Sequence, residues 1–302
     1  MVLNFKVTAL SPLHIGCGEE MDPLSYVIDD NNVLNVINLD NLLANVAEQV
    51  DQSFLEAVKN TKIGRIRATI RDMYLSSKMP GCVIRMAAVS DSFLSDYKNE
   101  IGKDNVNNTL IFKSFSNSMG RPYIPGSSLK GAIRTGIIDM AFNYAITENE
   151  RQMLDRERNV KDIEAFLMGY MVEDTRIRGR KSAKIDMDPF KMLKIRDAFL
   201  PENSTLVCKM HNKNSSGKGA GIPINVEVLK SGTVFEVEIV LAFYGEVGRK
   251  SLFTKDNFLK ILHYWSAQSK TKAKDELDRL NKYSGLELKE KQRLKVIYEK
   301  LI

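Results

Sequence analysis

Groups on which catalysis is usually built are scarce. Of 302 residues only three are histidine (His14, His211, His263) and three cysteine (Cys17, Cys82, Cys208). The cysteines are far apart and odd in number, which gives neither a disulfide framework nor a zinc spacing such as C-x₂-C. Reduced, mostly buried thiols are the plain reading. Paired carboxylates at metal spacing are missing too, since Glu19, Glu20 and Asp22, beside Pro23, read as a loop exterior. No cofactor or metal is expected. No apolar run approaches the ~20 residues of a membrane span. The opening Met-Val-Leu-Asn-Phe-Lys-Val alternates like a strand and lacks a signal peptide's long apolar core. A cytoplasmic protein without a membrane partner is expected.

What is present is ordinary core and unevenly spread positive charge. A hydrophobic fraction of 43% suits a globular chain, and the length suits one large or two modest domains. A net charge of +6 and a pI near 9.0 favour an acidic partner. Between residues 59 and 85 seven cations (Lys59, Lys62, Arg65, Arg67, Arg71, Lys78, Arg85) face one acid, Asp72. Ile63, Ile66, Ile70, Met73 and Tyr74 keep helical spacing there, which predicts a helix showing its arginines on the opposite side. A second run, Arg176-Ile-Arg-Gly-Arg-Lys-Ser-Ala-Lys184, holds Arg176, Arg178, Arg180, Lys181 and Lys184 with no acid. Gly179 and the absence of periodicity make it a loop. For both runs RNA contact stands beside plain solvation.

The most pointed stretch is Arg121-Pro-Tyr-Ile-Pro-Gly-Ser-Ser-Leu-Lys-Gly-Ala-Ile-Arg134. Two prolines force an extended approach, and a helix follows with Ser127 or Ser128 as its cap. Its apolar face is Leu129, Ala132, Ile133, Gly136, Ile137, Met140, Ala141 and Tyr144. Helix starts usually recruit Asp or Glu. The first two turns here carry none, while Lys130 and Arg134 lie one turn apart. Free amides, a close-approach glycine at Gly126 and two cations suit a phosphate. A proline-led helix with solvated cations is the plainer alternative.

Pro122-Tyr-Ile-Pro-Gly-Ser-Ser-Leu-Lys-Gly-Ala-Ile-Arg-Thr135 resembles the signature of the RAMP superfamily of CRISPR RNA-binding proteins, and Leu10-Ser-Pro-Leu-His-Ile-Gly-Cys-Gly-Glu19 resembles a second one. Together, through about residue 245, they are similar to the fifth subunit of type III-A (Csm) effector complexes. The resemblance implies a non-catalytic subunit that caps the backbone at the 3′ end of the guide RNA and serves guide maturation and antiviral defence. Implied partners are the CRISPR guide RNA and other Csm backbone subunits, with host nucleases as a further class. It also implies an α+β fold of two ferredoxin-like (RRM-like) units with helical insertions. Residues 1–190 would form the first and 191–302 the second. Such families continue past the last helix into a glycine-rich loop and a closing strand; this sequence stops inside helix, so the second unit is expected to lack its C-terminal closing element.

Along the chain, residues 3–10 read as a strand and Ser11 to Glu20 as a turning loop holding His14. Two short strands flank Asp29-Asp-Asn-Asn32, and a helix starts at Asp40. Residues 90–108 read as an irregular excursion. From Lys194 the pattern turns β-rich, with a glycine-rich loop at 211–221 that carries Lys218, and Phe253 to Leu280 is a long amphipathic helix. The RNA-binding set is therefore His14, Gly126, Ser127, Ser128, Lys130, Arg134, Arg65, Arg67, Arg71, Arg176, Arg178, Arg180, Lys181, Lys184 and Lys218. A metal-independent ribonuclease using His14 or His211, and a protein-docking scaffold using the C-terminal helices, are the competing classes.

Overall fold

A computed structural model of the chain describes residues 1–46, 52–77, 80–104, 109–144, 146–157, 159–173, 181–212, 221–242, 255–282 and 288–299. Strands and helices are numbered in chain order. Val2–Thr8 alternates exposed and half-buried side chains and forms β1, which pairs antiparallel with β14 (Val234–Leu241). The other edge of β14 takes β10 (Leu193–Ile195). A seven-stranded sheet runs in the order β2 (Gly16–Met21), β6 (Ile111–Ser114), β13 (Ile224–Leu229), β12 (Thr205–Met210), β5 (Val83–Val89), β4 (Val33–Ile37), β3 (Tyr26–Ile28). In it β13–β6 and β12–β5 are parallel and the other pairs antiparallel. Both sheets draw strands from either side of residue 190. Two-stranded pairs join β7 (Tyr123–Ile124) to β11 (Ala198–Phe199) and β8 (Met171–Glu173) to β9 (Lys181–Ala183).

The helices are α1 (Leu39–Asn45), α2 (Gln52–Lys59), α3 (Ile63–Ser77), α4 (Asp91–Glu100), α5 (Gly126–Tyr144), α6 (Glu148–Arg156), α7 (Val160–Leu167), α8 (Lys255–Lys282) and α9 (Leu288–Glu299). None of the described helices is long and apolar enough to cross a membrane. Three clusters of buried side chains hold the layers together. One joins α5 and α7 to β10 and β14 through Ile137, Ala141, Leu167, Leu193 and Val237. A second packs Phe93 and Tyr97 of α4 on the seven-stranded sheet, and a third packs α1, α2 and α3 against β3 and β4. Burial of large side chains such as Tyr26, Phe93 and Leu34 is worth roughly 1.5–3 kcal/mol each.

Two expectations are corrected. Residues 91–100 of the supposed irregular excursion form α4: Ser90 caps it by accepting the Phe93 N–H, and Phe93 and Tyr97, four apart, are buried. Polar composition hid that spacing. The Ser11–Glu20 loop ends in β2 from Gly16 onward, because β6 offers it a partner edge, with an irregular register between Gly16 and Glu20.

Candidate nucleic-acid interface

The start of α5 is built by distant chain. Pro125 accepts the N–H groups of Ser128 and Leu129 at 3.0 and 3.2 Å, and the first turn holds no acid of its own. The carboxylate comes instead from Asp197, between β10 and β11, whose Oδ1 accepts the Gly126 N–H at 2.8 Å. The same link presses the Ile195 carbonyl against Gly126, where any Cβ would collide with it. The glycine's close approach, expected to admit a phosphate, thus admits a strand. Asp197 caps the helix, not Ser127 or Ser128, which lie inside the first turn, Ser127 exposed and Ser128 half-buried.

Arg134 is also engaged from within. Its Nη1 donates to Asp188 Oδ2 at 2.8 Å, while Nε and Nη2 reach Glu164 Oε2 at 3.2 and 2.9 Å. Nη2 also reaches the Tyr170 hydroxyl at 3.3 Å, and the guanidinium lies 4.6 Å from the Phe190 ring centre. Burial works against its charge, but the hydrogen bonds from Asp188 and Glu164 outweigh that and hold its pKa above the ordinary arginine value. The expected phosphate ligand is instead the hub that ties α5 to α7 and to the turn at Asp188. Lys130, one turn earlier, is half-buried, and no carboxylate lies within ion-pair distance among the described residues. Burial pushes its pKa down; Arg134 and Lys194 push the same way, and Asp188 opposes them.

His14 is pinned to the sheet. Its Nδ1 donates to the Glu227 carbonyl at 2.7 Å, which fixes the proton on that nitrogen because a carbonyl only accepts. Ser114 Oγ donates to the same carbonyl at 2.7 Å, and the buried Glu227 carboxylate holds both terminal nitrogens of Arg85, Nη2 at 2.9 Å. This cluster seals the gap where β6 and β13 part company beyond Phe112 and Val226. Among the described residues no three His, Cys, Asp or Glu side chains gather as metal ligands.

The basic helix divides. Arg65 is exposed on α3 as expected. Arg67 is not: it is 2% exposed, all three guanidinium nitrogens lack a hydrogen-bond partner among the described residues, and its Cζ lies 5.8 Å from the Tyr97 ring centre. Helical geometry turns Arg67 onto the face shared by Ile70 and Met73, so it belongs to the core side and not to a displayed surface. Arg71 is half-buried beside Asp30 and Asp72, both at 3.5 Å. Lys181 and Lys184 are exposed at and beyond the β8–β9 pair. Arg176, Arg178, Arg180 and Lys218 lie outside the described residues. Sequence reasoning missed Asp197, which caps the signature helix at Gly126, and Asp188 and Glu164, which engage Arg134, and it passed over Arg121, which lies 4.9 Å from the centre of the exposed Phe199 ring. No local pattern marks these pairings, which join residues 30 to 78 positions apart (164 − 134; 199 − 121).

The model of the RAMP superfamily matches residues 6–285. The chain is 27% identical over 253 residues to "CRISPR system Cms protein Csm5" of Methanocaldococcus jannaschii, covering 83% of this chain and 56% of that protein. It is 23% identical to the protein of that name from Streptococcus thermophilus, covering 78% of this chain and 63% of that one. The chain thus spans a little over half the length of these curated relatives. Among solved structures, T. onnurineus Csm5 aligns with a TM-score of 0.61 at 22% identity, covering 92% of this chain and 83% of that one. A chain of a Csm–crRNA–target RNA ternary complex from a type III-A CRISPR–Cas system aligns with a TM-score of 0.62 at 21% identity, covering 98% and 80%. The shared fold is the α+β RAMP fold with ferredoxin-like units.

Proposed function

The chain belongs to the RAMP superfamily, and we propose that it is a non-catalytic, RNA-binding subunit of a type III-A CRISPR (Csm) complex that caps the backbone at the 3′ end of the guide RNA. The names borne by its relatives support the assignment to such a complex. Guide RNA and neighbouring Csm subunits are its partners, and guide maturation and antiviral defence are the processes it serves.

The observation that carries RNA binding is Lys130. Its half-buried ammonium is disfavoured by burial and by Arg134 and Lys194 and favoured by Asp188, and no carboxylate lies within ion-pair distance of it among the described residues, which leaves room for an anion. A phosphate oxygen supplies what burial and the two neighbouring cations take away. In this reading the RNA backbone passes Ser127 and Lys130 on the exposed side of the α5 start. Arg65, Lys181 and Lys184 lend further charge, while Gly126, Arg134 and Arg67 hold the protein together. Contacts of this kind position RNA without reading its sequence.

The test is RNA affinity of the full chain across a salt series. Lys130→Ala is expected to weaken binding and to flatten the dependence of log affinity on log salt by about 0.7, one phosphate's share on a single strand. An affinity and slope equal to the unaltered chain would remove Lys130 from the interface and the main support with it.

A further inference from the structure

We infer that Arg121, laid against Phe199, is a stacking platform for an unpaired RNA base, which enters the cleft beneath the β6–β7 turn. This rests on the RNA-binding reading and says what part of the nucleotide one site takes. The turn is rigid. Asn117 Oδ1 accepts the N–H groups of Met119 and Arg121 at 3.1 and 2.9 Å, and the Asn117 N–H donates to the Arg121 carbonyl at 3.0 Å. Gly120, at φ +78°, lies on Ile84 of β5 so closely that a Cβ there would come within 2.6 Å of Ile84 Cγ2. Arg121 is therefore delivered to a fixed place.

There it heads a row of rings. Its Cζ lies 4.9 Å from the Phe199 centroid; Phe199 leans on Tyr123 at 5.9 Å, and Tyr123 on Phe115 at 5.8 Å. Phe199 is 46% exposed, which leaves part of its ring open to solvent. Arg121 has no carboxylate within ion-pair distance among the described residues, and the Phe199 ring is the aromatic face it lies over. A planar cation placed over an aromatic ring on one side offers its other side to a base.

Beside it opens a cleft of about 1080 Å³, which Arg121 helps to line. Its apolar walls are Ile84, Met86 and Met119, all exposed, and Asp29, Asp30 and Glu202 bring carboxylates to it. Asp29 already accepts the Asn31, Val33 and Asn35 N–H groups and Asp30 pairs with Arg71, so Glu202 is the carboxylate left to meet a base edge. Arg85 also lines it, but both its terminal nitrogens are held by Glu227. Carboxylates repel a phosphate and accept the N–H edges of a base. The chemistry thus admits the base and leaves the phosphate outside, near Arg121.

The experiment uses the full chain and a single-stranded oligoribonucleotide carrying 2-aminopurine, whose fluorescence falls on stacking. Arg121→Lys keeps the charge and loses the plane, so affinity is expected to fall about fivefold or more, as loss of one base stack implies, with the salt slope unchanged and the quench reduced. Phe199→Leu, at an exposed position, is expected to do the same without a change in melting temperature. Should Arg121→Lys bind and quench as the unaltered chain does, Arg121 acts as charge alone and the platform is refuted while the RNA-binding reading stands. Should Phe199→Leu keep its RNA affinity but lose a purified neighbouring Csm subunit, the patch is a protein contact and the inference is likewise wrong. If the unaltered chain binds no RNA at all, both readings fall together.

Discussion

Two arginines of this chain sit over phenylalanine rings at nearly the same distance, Arg134 over Phe190 at 4.6 Å and Arg121 over Phe199 at 4.9 Å, and have opposite surroundings. Arg134 is bracketed by Asp188, Glu164 and the Tyr170 hydroxyl, so its donors are consumed. Arg121 has no carboxylate within ion-pair distance among the described residues and faces an open cleft. Both lie in the same fourteen-residue stretch, and by charge alone they are equals. What separates a structural cation from one available to a ligand is whether carboxylates arrive from elsewhere in the chain. The signature's two ends have been put to different uses.

That contrast can be broken by mutation. The largest effect is expected at the closed end. Arg134→Met leaves Asp188 and Glu164 without their partner and should lower stability by about 2–3 kcal/mol, less than a fully buried pair because the side chain is 24% exposed. Denaturant unfolding measures it, and an unchanged midpoint would put Arg134 back among the free cations. Next comes Arg67→Met. Three buried nitrogens without hydrogen-bond partners among the described residues cost the fold more than they return, so a same-length apolar chain should raise stability by about 1 kcal/mol, the opposite sign to Arg134→Met. A clear loss of stability would show that Arg67 has an anionic partner. Asp197→Ala removes the cap of α5 and should cost about 1 kcal/mol. It also takes a negative charge from the helix start, so RNA affinity should rise about threefold, the ~0.6 kcal/mol of one charge at a helix end. Reduced RNA affinity at unchanged fold would place the RNA elsewhere.

The smallest effect is in pH. Burial, opposed by Asp188 and aided by Arg134 and Lys194, depresses the Lys130 pKa below the unfolded value, so over the alkaline range up to 10.5 the unfolded chain binds more protons than the folded one. Stability from this group therefore rises with pH through that range. Lys130→Gln should remove the rise, seen as a flatter stability–pH curve in that range; identical curves would mean that Lys130 is fully hydrated.

Much of the fold can be read along the chain. The helical spacing of Ile137 and Ala141, the alternation of Phe5 and Val7, and the Asp29–Asn32 turn between β3 and β4 all reappear in the structure. Asp29 Oδ1 accepts the Asn31 and Val33 N–H groups, and Asn32 takes φ +59°, as such a turn requires. The α4 helix was missed because Asp, Ser and Asn outnumber Phe93 and Tyr97, although four-residue spacing after a Ser cap was there to find. The site was less legible. Arg65 and Arg67 differ by two positions, which is half a turn of helix, and only the sheet beneath decides which of them is buried.

Local patterns thus decided where strands and helices form, how charge is spread and which family signature the chain carries, because propensity, periodicity and capping act over a few residues. Tertiary packing alone decided which cations remain open. Asp197 reaches Gly126, Glu164 reaches Arg134 and Phe199 meets Arg121 across separations that no window spans. Electrostatic and ring contacts act through space over a few ångströms, without regard to distance along the chain.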